Sequence, residues 1–136
     1  MSHCNRALID RAAALLNPHL TSTGRLFGDV GAVLVSGSGK IFEGVCIDTA
    51  SWGLCAERSA IAAMITAGEY RIEQIVAVWR NPETAALSVL PPCGHCREFM
   101  RQIDSANLAA AVILGPEKVR TLADLLPEHE WPAPIQ

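Results

Sequence analysis

Leu8, Ile9, Ala12, Leu15 and Leu16 fall on one stripe at helical spacing, with Arg6, Asp10 and Arg11 on other faces. This predicts an amphipathic helix over 5–16, ended by Pro18, which cannot continue the backbone hydrogen bonds. Two apolar runs follow, a β-branched one over 30–35 and a second over 41–47, separated by Ser36-Gly37-Ser38-Gly39-Lys40. That pattern reads as a hairpin. The glycines invite comparison with a phosphate loop, but their spacing is wrong and Ile41 stands where Ser or Thr is required. Residues 48–54 read as a loop containing Gly53. From Cys55 a run of strong helix formers is apolar nearly all round, the pattern of a buried helix ending near Gly68. A short strand over 75–79, a loop over 82–92, a helix over about 93–104 and a buried strand over 109–114 come next. A weaker edge strand over 118–121 and a short helix over 122–126 close the pattern. The order α-β-β-α-β-α-β, then a strand and a helix, predicts an α/β fold with a mixed sheet and helices on both faces. Its central strands are continuous apolar runs, as strands buried on two sides are.

The length of 136 residues matches one domain, 1–136. Half the residues are hydrophobic and 18% are charged, enough apolar material for a core. No apolar run approaches the roughly 18–20 residues of a membrane helix, and no basic leader precedes one. The expectation is a cytoplasmic protein with no membrane partner. Eleven Lys and Arg against fourteen Asp and Glu give a formal charge of −3, a poor match to a polynucleotide backbone. The five cysteines are an odd number, which disfavours a disulfide scaffold and moves metal-binding or catalytic thiols forward.

The cysteines fall in a pattern. Cys55 opens one predicted helix, and Cys93-Gly94-His95-Cys96 opens another after Pro91-Pro92. Free backbone N–H groups and the helix dipole at such ends stabilise thiolates. Three cysteine ligands on Zn²⁺ leave a fourth position for water, the arrangement of a catalytic zinc. Glu57, two residues after Cys55, is placed to take a proton from that water and hand it to a leaving nitrogen. Three thiolates blunt the ion's acidity, and Arg58 is a candidate donor to one of them. A closed four-thiolate site including Cys46 is the bland alternative, but Cys46 and Cys55 lack the close spacing of structural ligand pairs. Arg58 as a surface ion-pair partner, Glu57 as an ordinary first-turn carboxylate and His95 as a loop side chain are the corresponding bland readings.

Cys55-Ala56-Glu57-Arg58, followed by Pro92-Cys93-Gly94-His95-Cys96-Arg97, resembles the zinc-dependent cytidine deaminases, and the resemblance runs from the first hairpin to Leu125-Leu126-Pro127. It implies a five-stranded α/β sandwich and, for the short three-cysteine branch, a homotetramer. It implies zinc on Cys55, Cys93 and Cys96, and a backbone at Ala56 that reads the cytosine. Glu57 then shuttles protons as water attacks C4 and ammonia leaves, while Arg58 tunes the thiolates.

The resemblance also locates departures. Where the family carries an asparagine and a glutamate that grip the ribose, this chain has Cys46 and Asp48. The phenylalanine that stacks on the base aligns with Gly28. The loop between Cys46 and Cys55 is short, as in blasticidin S deaminases, which also place an aromatic soon after the Leu-Leu-Pro, here Trp131. A nucleoside is therefore the expected substrate class, with an altered sugar subsite. A blasticidin-like or other amino-heterocycle deaminase, a polynucleotide-editing deaminase and a non-catalytic zinc module are the alternatives.

Overall fold

Residues 3–136 are described in a computed structural model. Helix α1 (Asn5–Ala13) precedes strands β1 (His19–Leu20), β2 (Leu26–Ser36) and β3 (Ile41–Ile47); then come α2 (Ala56–Thr66), β4 (Ile72–Arg80) and β5 (Leu87–Leu90). Helix α3 (Gly94–Ile103), a 3-10 turn at Ser105–Ala109, β6 (Ala111–Gly115), β7 (Lys118–Thr121) and α4 (Leu122–Leu125) complete the chain. The sheet runs β3-β2-β4-β6-β7, with β1 added to the start of β2 and β5 to the end of β4. All pairs are antiparallel except β4 with β6, whose parallel pairing needs a crossover that α3 supplies.

Strand alternation splits the core in two. Val33 and Val35 of β2, Val76 and Val78 of β4 and Ile113 of β6 point to one face, where Leu8, Ile9 and Ala12 of α1 cover them. Ala32 and Leu34, Ile75 and Ala77, and Val112 point to the other face, beneath Ala60, Ile61 and Met64 of α2, Met100 of α3 and Leu122 of α4. The helix α2 lies close on β3: a Cβ at Gly44 would collide with the backbone nitrogen of Ala60. Buried Asn107 ties the far end of α3 to the start of β4, accepting from Ile72 N at 2.7 Å and donating to Met100 O at 3.0 Å.

The predicted α/β order is present, with its five strands and four helices, and two further short strands join the sheet. The span 82–92, expected as loop, contains β5, whose four residues are too few to show a period. The first helix ends at Ala13 instead of residue 16, because Leu15 N and Leu16 N bond three residues back, to Ala12 O and Ala13 O, tightening the chain before Pro18. Strands β2 and β4 both start earlier than expected. In each, residues between the early start and the apolar run interrupt the pattern, Gly28 and Asp29 in β2 and Glu73 with Gln74 in β4.

Candidate metal centre and active site

Cys55 and Cys93 occupy the N-cap positions of α2 and α3, and neither side chain caps its own helix. Their sulfurs instead face each other at 3.5 Å, and Cys93 Sγ lies 3.5 Å from Cys96 Sγ, one turn into α3. All three sulfurs lie within 4.8 Å of one another. Tetrahedral zinc with sulfur at about 2.3 Å requires sulfurs about 3.8 Å apart, so the cluster fits this ion. The crowding itself favours a cation. Burial pushes the Cys96 thiol well up, and the charge of Glu57 and the neighbouring sulfurs push it further. At Cys93 burial also raises, but the Cys96 N–H and the side-chain contacts with Cys96 and Cys55 outweigh it and lower the thiol. A bound divalent ion relieves that repulsion. Cys46 is not part of the cluster, which removes the closed four-cysteine arrangement.

Glu57 is only 6% exposed, in the first turn of α2. Burial raises its carboxyl above the ordinary range, opposed in part by its own backbone N–H and by Arg58. It lines a cleft of 160 Å³ with Cys55, Cys93, Ala56, Cys46, Val30, Leu90 and Pro91. Arg58 makes no surface ion pair. Its Nη2 donates to Gly53 O at 3.1 Å and lies 3.8 Å from Cys55 Sγ, joining the loop before α2 to a thiol of the cluster. Arg97 has the matching task at the other helix, donating to Pro92 O at 2.8 Å and Leu125 O at 3.0 Å, so that the second cysteine loop is tied to α4.

The region 5–112 matches the model of the cytidine and deoxycytidylate deaminase zinc-binding region. The chain belongs to this family. It is a zinc-dependent deaminase, a hydrolase acting on a C–N bond. It is 31% identical over 102 residues to a cytidine deaminase of Halalkalibacterium halodurans, covering 72% of this chain and 74% of the relative. A cytidine deaminase of Mycobacterium tuberculosis is 32% identical over 101 residues, 73% of this chain and 70% of that protein. The crystal structure of cytidine deaminase from Burkholderia pseudomallei is similar with a TM-score of 0.68 at 30% identity, over 94% of this chain and 98% of that one. The cytidine deaminase of Bacillus anthracis shares the fold, with a TM-score of 0.73 at 23% identity over 93% of this chain and 89% of that one.

Of the residues singled out for substrate, the structure brings Cys46 and Ala56 to the cleft and leaves Gly28, Asp48 and Trp131 outside its lining. Gly28 has φ +74°, and a Cβ there would lie 2.7 Å from Asn17 O. The main chain of Asn17 fills the space where a side chain at 28 would start, so this position is a backbone junction and not a vacated ring site. Asp48 is exposed in the loop beyond β3, and Trp131 is 94% exposed in the C-terminal segment. His95 is exposed in the first turn of α3 and does not line this cleft; it borders a second cavity with Trp52, Gly53 and Arg58. Missing from the sequence reading were Arg97, Leu90 and Asp29, whose carboxylate Oδ1 accepts from Cys46 Sγ at 2.8 Å. A polar residue directly after a glycine, inside an apolar strand, is the signal that could have pointed to Asp29.

Proposed function

We propose that this chain deaminates a cytidine-type aminopyrimidine nucleoside, with Cys55, Cys93 and Cys96 holding the zinc and Glu57 carrying the proton. The observation that carries this reading is the meeting of three converging sulfurs with a cleft that two of their cysteines, Cys55 and Cys93, line together with the buried carboxylate of Glu57. Bound zinc supplies Lewis acidity, which brings the pKa of water to about 7. Glu57 accepts a proton as water oxygen bonds to C4 of the ring and passes it to ring N3. It then carries the second proton from that oxygen to the exocyclic nitrogen, so that the C4–N bond breaks, the C4 carbonyl forms, and ammonia leaves with a uridine-type product. Because Glu57 is buried, little bulk water competes for the proton in transit. Ala56, beside it, presents main chain to the ring edge, and Arg58 offsets part of the thiolate charge.

The cytidine deaminase names of the Halalkalibacterium and Mycobacterium relatives support the substrate class. On the same reading residues 1–136 work as a single unit in the cytoplasm, in pyrimidine salvage. They work there as a homotetramer, for which large exposed apolar side chains provide contact surface: Trp52 is 91% exposed beside the cluster, and Trp131 and Ile135 stand out from the C-terminal segment. No helix among the described residues is long and apolar enough to cross a membrane. The deciding experiment is ammonia release by zinc-loaded protein from a panel holding cytidine, deoxycytidine, cytosine, a blasticidin-type nucleoside and single-stranded DNA. Turnover concentrated on the nucleosides is expected; release from DNA alone, or from none of them, would overturn the proposal.

A further inference from the structure

Of the three sulfurs, that of Cys93 is common to both 3.5 Å contacts, yet its residue is the least supported. Cys96 is buried within α3, and Cys55 follows Leu54, whose N–H and carbonyl are both paired with Ile47. Cys93 is exposed, and a Cβ on the Gly94 that follows it would meet nothing within 4 Å. Neither packing nor strand pairing fixes the direction of this side chain.

Arg97 supplies the missing restraint. A side chain's direction depends on the φ and ψ of its residue, the torsions between the two flanking peptide planes. The carbonyls of both planes around Cys93 are bonded to Arg97: its Nε donates to Pro92 O at 2.8 Å, and its backbone N donates to Cys93 O at 3.0 Å. The ring of Pro92 fixes φ one residue earlier. Arg97 Nη1 then donates to Leu125 O at 3.0 Å, one of the carbonyls that the end of α4 leaves without an intrahelical partner. Helix α4 is a fixed point. Leu122 is buried in the core with its N donating to Ala110 O at 3.0 Å, and the Thr121 side chain caps the helix by accepting from Asp124 N. No carboxylate is ion-paired with Arg97 among the described residues, so its rigid fork is given to the two carbonyls.

We propose that Arg97 is a positioning residue of the metal centre: it aims the Cys93 sulfur by holding both peptide planes around it and fastening them to α4, and so governs how fast the ion escapes. This rests on the ligand set proposed above and deepens it, by assigning its exposed member to a restraint from the C-terminal end of the fold.

Two measurements test this. One is the rate at which zinc passes from the loaded protein to a chromophoric chelator. The other is the visible absorption of the cobalt(II)-loaded protein, in which sulfur-to-cobalt charge-transfer bands report thiolate ligation and ligand-field bands report its geometry. Arg97→Lys and Arg97→Gln each offer a single side-chain nitrogen, which cannot serve Pro92 O and Leu125 O from the positions of Nε and Nη1. Both variants are expected to release zinc about 10–100-fold faster than the parent and to shift the cobalt ligand-field bands. Asn107→Ser cuts the anchor at the other end of α3. It should lower the melting temperature while the release rate and the cobalt spectrum stay near the parent's. Parental release and spectrum in Arg97→Gln overturn the proposal. So does a parental Arg97→Lys, which would show that charge and not the bridge is what matters. Equal acceleration by Asn107→Ser overturns it too, because Arg97 would then only support the helix. A parent whose cobalt form lacks the sulfur charge-transfer bands overturns the ligand set itself, so the two failures are read apart.

Discussion

At Glu57 two opposed requirements meet. A proton carrier has to be shielded from bulk water, yet a buried carboxylate pays for lost hydration by rising above its ordinary range. The first turn of α2 meets both, since it buries the side chain while the backbone N–H and Arg58 moderate the rise. Glu57→Gln removes the exchangeable proton with almost no change in volume. Turnover is expected to fall about 10²–10⁴-fold, while metal analysis still finds one zinc per chain. Activity within a fewfold of the parent would show that the carboxylate is not the carrier. Cys46 illustrates the converse case. A thiol is a weak stand-in for an amide toward a sugar, but as a donor to Asp29 it acquires a second use that its identity alone does not announce.

Among the elements, the two helices that end at the cluster are held by different means. Helix α2 is set by direct backbone approach to β3 at Gly44, where any side chain would meet Ala60 N. Gly44→Ala should therefore destabilise the fold by about 1–3 kcal/mol, as overpacking does, and should disturb zinc retention as well, because α2 carries Cys55. A denaturant midpoint equal to that of the parent would contradict this contact. Helix α3 is anchored at its start by Arg97 and at its end by Asn107. Neither anchor joins the two helix starts to each other; on the proposed ligand set, zinc would. Cys93→Ala is accordingly expected to lose zinc and to lower the melting temperature, since binding free energy becomes folding free energy when the ligands come from separate elements. Undiminished zinc in that variant would show that the ligand set is different.

For the whole molecule, the apolar residues left outside carry the prediction. Trp52 adopts φ +79°, an uncommon conformation for a bulky residue, and its ring is 91% exposed a few residues from Cys55 of the thiol cluster. Trp131 and Ile135 are exposed as well. Isolated exposed apolar side chains are ordinary, but a tryptophan at each of two segments is better explained by contact between copies. The mass from light scattering at micromolar concentration is expected to be about four times that of the chain. A monomer would sink the tetramer.

Much of this was legible from the sequence, for a definable reason. The helices α2 and α3, the hairpin and the central strands are written in apolar period and in Gly and Pro punctuation, both local properties. The zinc chemistry was legible because the metal demands particular atoms: three cysteines at two helix starts, with a glutamate two residues on, leave few other uses. What depends on register was not legible. The sequence places Cys46 in a strand, but only the bulge between Phe27 and Gly31 brings Asp29 to it and sets Gly28 against the main chain of Asn17. The strand β5 is another example. It is too short to show a period, and it exists because β4 runs on past β6 and offers it an edge. The chemistry of the reacting group was thus determined by residue type and spacing. Which side chains of β2, β3 and β5 share the cleft with Glu57 was decided only when non-local strand pairing set their faces.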